Sequence, residues 1–563
     1  MSGHELAQTK TDKTAPIVIA VGAVFVAWSM ISVHVPGVNE PHYLTKSRHF
    51  ADCSWCANDF FLQSSNAHAV FFAVVGPFTK VLPFSTIAVV GRILSLLLLA
   101  SGWVQLGCRI GLNSFSVLLS ACMYCLIAAS GNFSGEWVIG GFESKVPAYG
   151  FALLAVAFWM DAFRFQQRRN YIVAGMLSGL SVSLHPVVGL WFCLAMAMSE
   201  IVLVRKRRLS PVNASVDSGV YLTLSSFVEH SAAFVLPAIL FALPGLIPAV
   251  NMVLSSTVDK VSQDTANFIQ VFWRLAHHLD PSTFPLYAWY HTAALSLVIV
   301  TSLFGLNRAG LRLPESVKSG ESTAANSATA GYVAKNPSPC WFLLITLLLA
   351  AAVIAGVGIG IGWHSGRAQE ITGWQWRASL LRFYPFRVFD ALLPITASFL
   401  LASVVARVLT SRGQRAAIVA VLIVSVCGVA CSKRPDAPSS YNEKIFSEWK
   451  TACSWLNENT PVDAMVFGPR ESFGLKWYAN RAEYICFKDC PQDAAGILEW
   501  NSRLWKIFHW SELSFEDGRF DDVDLRTLGR LTNVSYVLTR QLGPFESDPV
   551  YQNSVWRIYE IPQ

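Results

Sequence analysis

Long apolar runs recur along this chain and restrict what it can fold into more than any other feature. Each approaches the length of about 20 residues that a helix needs to cross a bilayer, and examples lie at residues 16–35, 84–106, 231–253, 341–363 and 416–431. In lipid, every backbone amide must be bonded within its own segment, so such runs predict transmembrane helices. The composition agrees, because 53% of the 563 residues are hydrophobic and only 14% are charged.

The apolar pattern predicts an all-α polytopic membrane domain of about eleven transmembrane helices, followed by a small soluble α/β domain. The helices are expected at 15–36, 84–106, 113–130, 146–163, 171–184, 186–203, 230–253, 284–305, 340–362, 384–404 and 415–431. The first run lacks a small-residue cleavage site, so we expect a retained helix rather than a signal peptide. Residues 69–82 could also dip into the membrane, and Pro186 predicts a helix break. We place the membrane domain at 1–431, with its first loop at 37–68, and the soluble domain at 432–563.

Basic residues set the expected orientation, because short cytoplasmic loops are enriched in Lys and Arg. With a cytoplasmic N-terminus, the inner loops would collect Arg164, Arg168, Arg169, Arg205 to Arg208, Arg308, Arg312, Arg407, Arg412 and Arg415. An odd number of helices then places residues 432–563 outside. We therefore expect a multi-pass protein of the bacterial cytoplasmic membrane with a periplasmic C-terminal domain. The polar stretch 313–339 would be a flexible inner loop.

The net charge of +6 follows mostly from this topology. Residues 432–563 contain 15 basic and 19 acidic residues, so the basic excess lies in the membrane part. Nothing in this distribution predicts a nucleic acid partner.

The soluble domain alternates helices with short strands, which is typical of a small α/β domain. Helices are predicted at 449–457, 493–507 and 525–531, and strands at 464–467, 534–539 and 554–561. No Gly-rich phosphate loop or nucleophile elbow is present in it. The sequence therefore favours a lid or docking module over a second active site.

Cysteines are less informative than the apolar runs. Five of the 12 cysteines would lie in the outer compartment, where disulfides persist: Cys53, Cys56, Cys453, Cys486 and Cys490. Cys53 and Cys56 could form a disulfide, half of a metal site or a redox pair. Because no second pair stands at zinc spacing, a disulfide or plain thiols are favoured.

A cluster of polar residues follows the first predicted helix. It begins with Asn39, Glu40, Pro41, His42 and Tyr43. Pro36 and Pro41 bracket the turn, so Glu40 should lie at the membrane surface, where partial loss of water suits a carboxylate to act as a general base. Glu40 could equally cap the short helix that follows it.

These five residues resemble the Asp-Glu-x-x-Tyr motif of lipid-dependent glycosyltransferases of the GT-C class, such as protein O-mannosyltransferases and aminoarabinose transferases. The plan of helices, long first loop and outer α/β domain is similar, and residues 455–461 resemble the start of that class's C-terminal domain. Residues 39–61, 140–149 and 381–390 are more similar to an uncharacterised bacterial membrane family. The resemblance implies a polyprenyl-phosphate sugar donor and substrate-binding roles for Asn39, His42, Tyr43 and Asp59.

Asn39 departs from the motif, which has Asp in this position, and that acid is usually assigned to the chemistry. Either Glu40 takes the role, or the activity is altered or absent. A second acid is expected in a later outer loop, where Glu136 and Glu143 flank two glycines. We prefer Glu143, which lies in the family-like stretch 141–147. It could orient the acceptor or bind a divalent metal, as in oligosaccharyltransferases, or it could be a solvated loop residue.

Arginines near the outer surface are expected to bind the donor phosphate, because the planar guanidinium matches phosphate oxygens. Arg382 and Arg387 follow tryptophans that fit an interfacial belt. Arg92 lies inside a predicted helix, where an ionisable residue is by default a functional hypothesis. The alternative is structural pairing, since Asp390 comes three residues after Arg387.

The sequence thus predicts a membrane glycosyltransferase that moves a sugar from a polyprenyl-phosphate donor to an unknown acceptor on the outer side. Glu40 would deprotonate the acceptor, Glu143 would orient it, and Arg382 or Arg387 would stabilise the leaving phosphate. Alternatives are a transporter or flippase of a lipid-linked or anionic solute, and a non-catalytic membrane scaffold. The predicted partners are the lipid donor and membrane lipids, and a divalent metal stays open as a cofactor.

Overall fold

The computed structural model describes residues 14–209, 224–254, 258–308, 339–409, 411–433, 436–470 and 472–562. The loop predicted at 313–339 lies outside these residues except for its last position. Up to residue 433, the regular elements of the described chain are helices. They are α1 (Thr14–Ser32), α2 (Glu40–Ala51), α3 (Phe60–Gln63), α4 (Ala69–Thr79), α5 (Phe84–Arg109), α6 (Ser114–Ala128), α7 (Lys145–Phe165), α8 (Arg168–Leu184), α9 (Pro186–Leu209), α10 (Leu224–Leu254), α11 (Lys260–Phe268), α12 (Ala276–Leu279), α13 (Leu286–Arg308), α14 (Pro339–Gly362), α15 (Trp374–Leu381), α16 (Arg387–Val408) and α17 (Arg412–Ser432).

Nine helices within the described ranges are long and apolar enough to cross a membrane: α1, α5, α7, α9, α10, α13, α14, α16 and α17. The two other predicted spans correspond to α6 and α8, which have 15 and 17 residues. The short apolar helix α4 occupies the segment expected to dip into the membrane. The chain is therefore a multi-pass helical membrane protein, as predicted, whereas its orientation stays a prediction.

A proline separates two neighbouring helices at residue 186. Pro186 has no amide proton and disfavours helical backbone in the residue before it, so α8 ends at Leu184 and His185 is extended (φ −144°, ψ 93°). This confirms the predicted helix break. On the other side, α8 packs against α10 at Gly175, where an added Cβ would lie 2.2 Å from the carbonyl oxygen of Phe234. Glycine thus allows the two helix backbones to approach closely.

Residues 436–562 contain a five-stranded sheet and four helices. The helices are α18 (Glu443–Asn459), α19 (Leu475–Ala479), α20 (Ala494–Ser514) and α21 (Asp522–Thr532), and the strands are β1 (Met465–Phe467), β2 (Ala482–Glu483), β3 (Tyr536–Thr539), β4 (Tyr551–Gln552) and β5 (Arg557–Glu560). The sheet order is β2-β1-β3-β5-β4. β1 pairs in parallel with β2 and β3, whereas β5 pairs antiparallel with β3 and β4. The predicted α/β class is confirmed, and α19, β2 and β4 are elements that the sequence did not predict.

The C-terminal region packs directly on the end of α1 and the start of α5. The backbone amide of His34 donates to the carbonyl oxygen of Asp436 at 2.9 Å, just after α1 and α17 end. The ring of Trp477 in α19 lies 5.1 Å from that of Phe84 at the start of α5. Cys53 and Cys56 are free thiols, the first exposed and the second buried. The contact between the two regions rests on ring packing and backbone hydrogen bonds.

Candidate functional site

A cavity of about 1130 Å³ lies where the first loop, the loop before α7, the segment between α15 and α16, and the C-terminal region meet. Its polar end carries five cationic side chains, Lys145, Arg274, Arg382, Arg387 and Lys488, and two carboxylates, Glu136 and Glu143. The positive excess favours an anion at this end of the cavity.

An apolar groove continues from this polar end between α9, α10 and α14. Leu190 and Leu194 of α9, Val250 of α10, and Val353 and Val357 of α14 line it. Between 40% and 58% of each of these side chains is exposed. The groove is therefore an apolar extension of the cavity along helices that are long and apolar enough to cross a membrane.

Glu143 lies on the cavity, beside Asn39. Asn39 is the N-cap of α2, but its side chain does not cap the helix. Instead, its Nδ2 donates a hydrogen bond to Oε1 of Glu143 at 3.0 Å. Burial raises the pKa of Glu143, and the nearby Lys145 opposes part of this shift. The structure therefore brings together two of the residues that the sequence singled out, and the acid holds its proton more readily than a free glutamate.

Glu40 is not among the residues that line the cavity. Its two carboxylate oxygens accept hydrogen bonds from Nε and Nη2 of Arg92, both at 2.7 Å. The backbone amides of Gly37 and Phe142 donate to the same carboxylate at 2.7 and 2.6 Å. A fully buried carboxylate with four donors has no oxygen left for an acceptor hydroxyl. This position does not fit the general base that the sequence predicts.

Arg92 also departs from its predicted role. Its guanidinium is fully buried, and besides Glu40 it donates to the carbonyl oxygens of Val33, at 3.0 Å, and His34. Nη1 also lies 3.9 Å from Sδ of Met30, so all five N–H groups of Arg92 have a partner. Arg92 therefore holds the first loop against α1 and α5 and does not reach the cavity.

Glu136 is the acid paired with Arg387, whereas the sequence offered Asp390 as the alternative partner. Nε of Arg387 lies 2.8 Å from Oε2 of Glu136, and Lys145 lies 3.2 Å from Oε1. Burial alone would raise the pKa of Glu136, but these two cations outweigh it and lower the pKa. Asp390 instead accepts from the backbone amide and hydroxyl of Ser134, both at 2.7 Å. The loop before α7 supplies both partners, Glu136 for Arg387 and Ser134 for Asp390.

Arg382 and Arg387 both line the cavity, as expected for phosphate-binding residues. Nη1 of Arg382 donates to Oδ1 of Asn267 at 2.7 Å, and burial lowers the pKa of its guanidinium. Arg387 packs over the ring of Tyr384, with 4.2 Å from its guanidinium carbon to the ring centre. Arg382 thus has a neutral hydrogen-bond acceptor, whereas Arg387 has a carboxylate.

Besides Lys145, two further cations on the cavity were not among the site residues predicted from the sequence. Arg274 follows α11 and donates from Nε and Nη2 to the carbonyl oxygens of Phe487 and Lys488, at 3.1 and 3.2 Å. Lys488 belongs to the C-terminal region. Arg274 lies within residues 254–283, between two predicted helices, and that position outside the predicted spans is a signal that could have identified it. Lys488 lies in a region interpreted as a lid, where no local pattern distinguishes it.

His42 and Tyr43 line the cavity, whereas Asp59 does not. Asp59 caps α3 by accepting from the amide of Leu62 at 2.9 Å, and it accepts from the amide of Glu483 at 3.0 Å. It is fully buried. Asp59 therefore joins the first loop to β2, which corrects its predicted role in substrate binding.

A metal ion has no evident place at Glu143. Among the described residues, the group of three donors close enough to share an ion is Glu483, Cys486 and Asp489, whose ligand atoms lie within 4.8 Å of one another. The ammonium of Lys476 lies 3.2 Å from Glu483 and 2.7 Å from Asp489. A cationic side chain already lies between these acids, so this group does not favour a metal ion.

Comparisons with known proteins describe the chain only in outline. A family model described as "Domain of unknown function (DUF6798)" matches residues 447–507, which run from α18 into α20. No curated protein is significantly similar in sequence. The crystal structure of the Archaeoglobus fulgidus oligosaccharyltransferase in the apo form is similar over 94% of this chain and 69% of that chain, with a TM-score of 0.43 and 11% identity. A similarity this distant carries no argument about activity.

Proposed function

We propose that this protein is a membrane glycosyltransferase of the GT-C type that transfers a sugar from a polyprenyl-phosphate donor to an acceptor on the outer side of the membrane. The observation that supports it is the joining of a cation-rich pocket and an apolar groove, lined by helices apolar enough to cross a membrane, in one cavity. A polyprenyl-phosphate sugar has the same two parts in the same order, an anionic head and a long apolar chain. The C-terminal region, residues 432–563, would be periplasmic in a bacterial cell.

The head of the donor decides its affinity in this arrangement. An isoprenoid chain already lies in an apolar medium in the bilayer, so moving it into the groove gains little hydrophobic free energy. Charge-assisted hydrogen bonds from arginine to phosphate are roughly twice as strong as neutral ones. Arg382 is the best placed phosphate ligand, because its partner Asn267 leaves its charge uncompensated.

Glu143 is proposed to orient the acceptor. It lies on the cavity with one oxygen bonded to Asn39, and its raised pKa favours a carboxyl group that can donate as well as accept a hydrogen bond. Glu40 and Arg92 hold the first loop against α1 and α5 and do not line the cavity. The role of base, which the sequence assigned to Glu40, then falls to another residue on the cavity.

Binding of farnesyl phosphate to the full-length protein in lipid nanodiscs tests the donor site. We expect saturable binding of farnesyl phosphate and weaker binding of farnesol, which lacks the phosphate. Arg382→Gln should weaken farnesyl phosphate binding by about tenfold or more, since a hydrogen bond to a charged group contributes about 1.5–3 kcal/mol. Arg377→Gln is the matched control, because Arg377 donates to the carbonyl oxygen of Ile361 at 3.0 Å and does not line the cavity.

Two results would contradict this proposal. Equal affinity for farnesyl phosphate and farnesol would show that the cavity has no phosphate site. If Arg382→Gln and Arg377→Gln weaken farnesyl phosphate binding equally, Arg382 is not a specific phosphate ligand. Movement of bound farnesyl phosphate across a vesicle membrane, without release of sugar from a panel of farnesyl-phosphate sugars, would favour the flippase instead.

A further inference from the structure

The cavity contains a histidine whose second ring nitrogen is bonded to a buried carboxylate. His42 lies on α2 one turn after Asn39 and lines the polar end. Its Nδ1 is 2.9 Å from Oδ1 of Asp489, a residue of the C-terminal region. The ring also packs against Phe61, with 4.4 Å between ring centres. With Nδ1 engaged, Nε2 is the nitrogen that remains for chemistry at the cavity.

Asp489 is held in its ionised form. Only 2% of the residue is exposed, and its second oxygen, Oδ2, lies 2.7 Å from the ammonium of Lys476. Burial alone would raise the pKa of Asp489, but Lys476 and His42 outweigh it and lower the pKa. An ionised carboxylate can only accept a hydrogen bond, so it requires the proton of a neutral His42 to be on Nδ1. Nε2 is then an unprotonated acceptor.

We propose that His42 is the general base of the transferase and that Asp489 is its positioning residue. This inference rests on the proposed function. Nε2 takes the proton of the acceptor hydroxyl while the acceptor oxygen forms a bond to the anomeric carbon of the sugar. The bond between that carbon and the phosphate oxygen breaks, and the electron pair leaves with the polyprenyl phosphate. The imidazolium, stabilised by Asp489, then releases its proton to water or to the departing phosphate.

Burial and two nearby lysines favour the neutral form of His42 before it accepts a proton. Burial lowers its pKa, and the bonded Asp489 opposes this shift. Lys46 on its own helix and Lys488 on the C-terminal region add to the lowering. Burial also lowers the pKa of His68, which precedes α4, and the nearby His42 adds to that lowering. A base must be unprotonated near neutral pH, and these groups satisfy that condition.

The dyad gives the C-terminal region a part in the reaction. His42 belongs to the first loop, whereas Asp489 and Lys476 belong to the C-terminal region. The sequence analysis interpreted that region as a lid or docking module. On this inference it completes the site, because the base is correctly oriented only when the two regions are in contact.

Carbethoxylation by diethyl pyrocarbonate, read by mass spectrometry on the full-length protein, tests the dyad without knowledge of the acceptor. The reagent attacks an unprotonated imidazole nitrogen. We expect His42 to react at pH 7, with a midpoint below about 6.5, the pKa of an unperturbed imidazole, and farnesyl phosphate to protect it. The exposed His509 reports on the reagent in the same sample. If the reagent modifies His509 but not His42 in the wild-type protein, the inference is overturned without any variant.

Asp489→Asn separates positioning from mere support. Asparagine donates from its amide and favours the tautomer with the proton on Nε2. His42 should therefore react at about one tenth of the wild-type rate or more slowly still, in line with the loss of one charge-assisted hydrogen bond. Asp463→Asn, the same change at an exposed position of the C-terminal region, should leave the rate unchanged. An unchanged rate in Asp489→Asn would overturn the dyad.

Binding of farnesyl phosphate is measured separately on the same samples, so that the donor site and the dyad are tested independently. If the wild-type protein binds farnesyl phosphate and Asp489→Asn reacts like the wild type, the dyad fails and the proposed function stands. If farnesyl phosphate does not bind, the proposed function fails whatever the labelling shows. If the protein turns over a farnesyl-phosphate sugar, His42→Gln should lower the kcat of that reaction by about 10²–10⁴ with little change in KM. An equal fall in kcat and in the amount of folded protein would contradict a role in catalysis.

Discussion

Removal of Arg92 should destabilise the protein strongly, because it leaves the carboxylate of Glu40 buried without its cation. Glu40 is fully buried, and Arg92 contacts both of its oxygens at 2.7 Å. Breaking a buried ion pair by removing one partner costs about 3–5 kcal/mol. The amides of Gly37 and Phe142 still donate to Glu40 after the change. We therefore expect Arg92→Met to cost about 3 kcal/mol, at the lower end of that range.

Glu40→Gln should cost a similar amount, since it leaves the buried guanidinium of Arg92 without a counter-charge. The double variant should lose less than the sum of the two single variants, because neither residue then leaves a buried charge behind. Glu499→Gln is the matched control. Glu499 lies 2.7 Å from Arg503 and its side chain is 48% exposed, so this change should cost under about 1 kcal/mol.

Unfolding in mixed micelles of a mild detergent and dodecyl sulfate, followed by tryptophan fluorescence, measures these free energies. The sugar transfer activity of the folded fraction is measured in parallel. If Arg92→Met and Glu40→Gln each cost less than about 1 kcal/mol and Glu40→Gln still abolishes transfer, the buried pair is not structural. Glu40 would then regain the role of base that the sequence suggests.

Three other predictions concern the topology, the pH dependence of stability and the docking of the C-terminal region. A cysteine introduced at Asp521 should be labelled from outside the cell and one at Ser319 should not, and the reverse pattern would invert the topology. Burial lowers the pKa of Lys46 to about 7, so between about pH 7 and 10 the unfolded chain binds a proton that the folded chain lacks. Stability should rise with pH across that window, and Lys46→Met should remove the rise in a denaturation series. Lys476→Met leaves three buried carboxylates without their shared cation, so limited proteolysis should cleave the C-terminal region faster. Unchanged cleavage would show that this lysine is not needed for docking.

The membrane helices could be predicted because their signal is local. Each of the eleven predicted runs corresponds to a helix, since apolar length alone decides whether a segment suits the bilayer. The break before Pro186 is local as well. In the C-terminal region the longer strands were found, whereas β2 and β4, with two residues each, have no pattern long enough to detect.

The partners of the charged residues could not be predicted, because they depend on how distant segments approach. Glu40 and Arg92 are 52 residues apart, and the sequence treated both as free for substrate. Asp390 stands one helical turn from Arg387, yet the loop before α7 supplies a different partner to each. The contact between His42 and Asp489 spans 447 residues, so no spacing rule could have joined them.

The central claim is that one cavity binds a polyprenyl phosphate. A cryo-electron microscopy map of the full-length protein in nanodiscs containing undecaprenyl phosphate tests it most directly. The account predicts a continuous density whose chain lies between α9, α10 and α14 and whose phosphate contacts Arg382, with His42 on the same wall. A map in which the lipid density lies elsewhere on the bundle, or in which the cavity contains no lipid at saturating undecaprenyl phosphate, would contradict it.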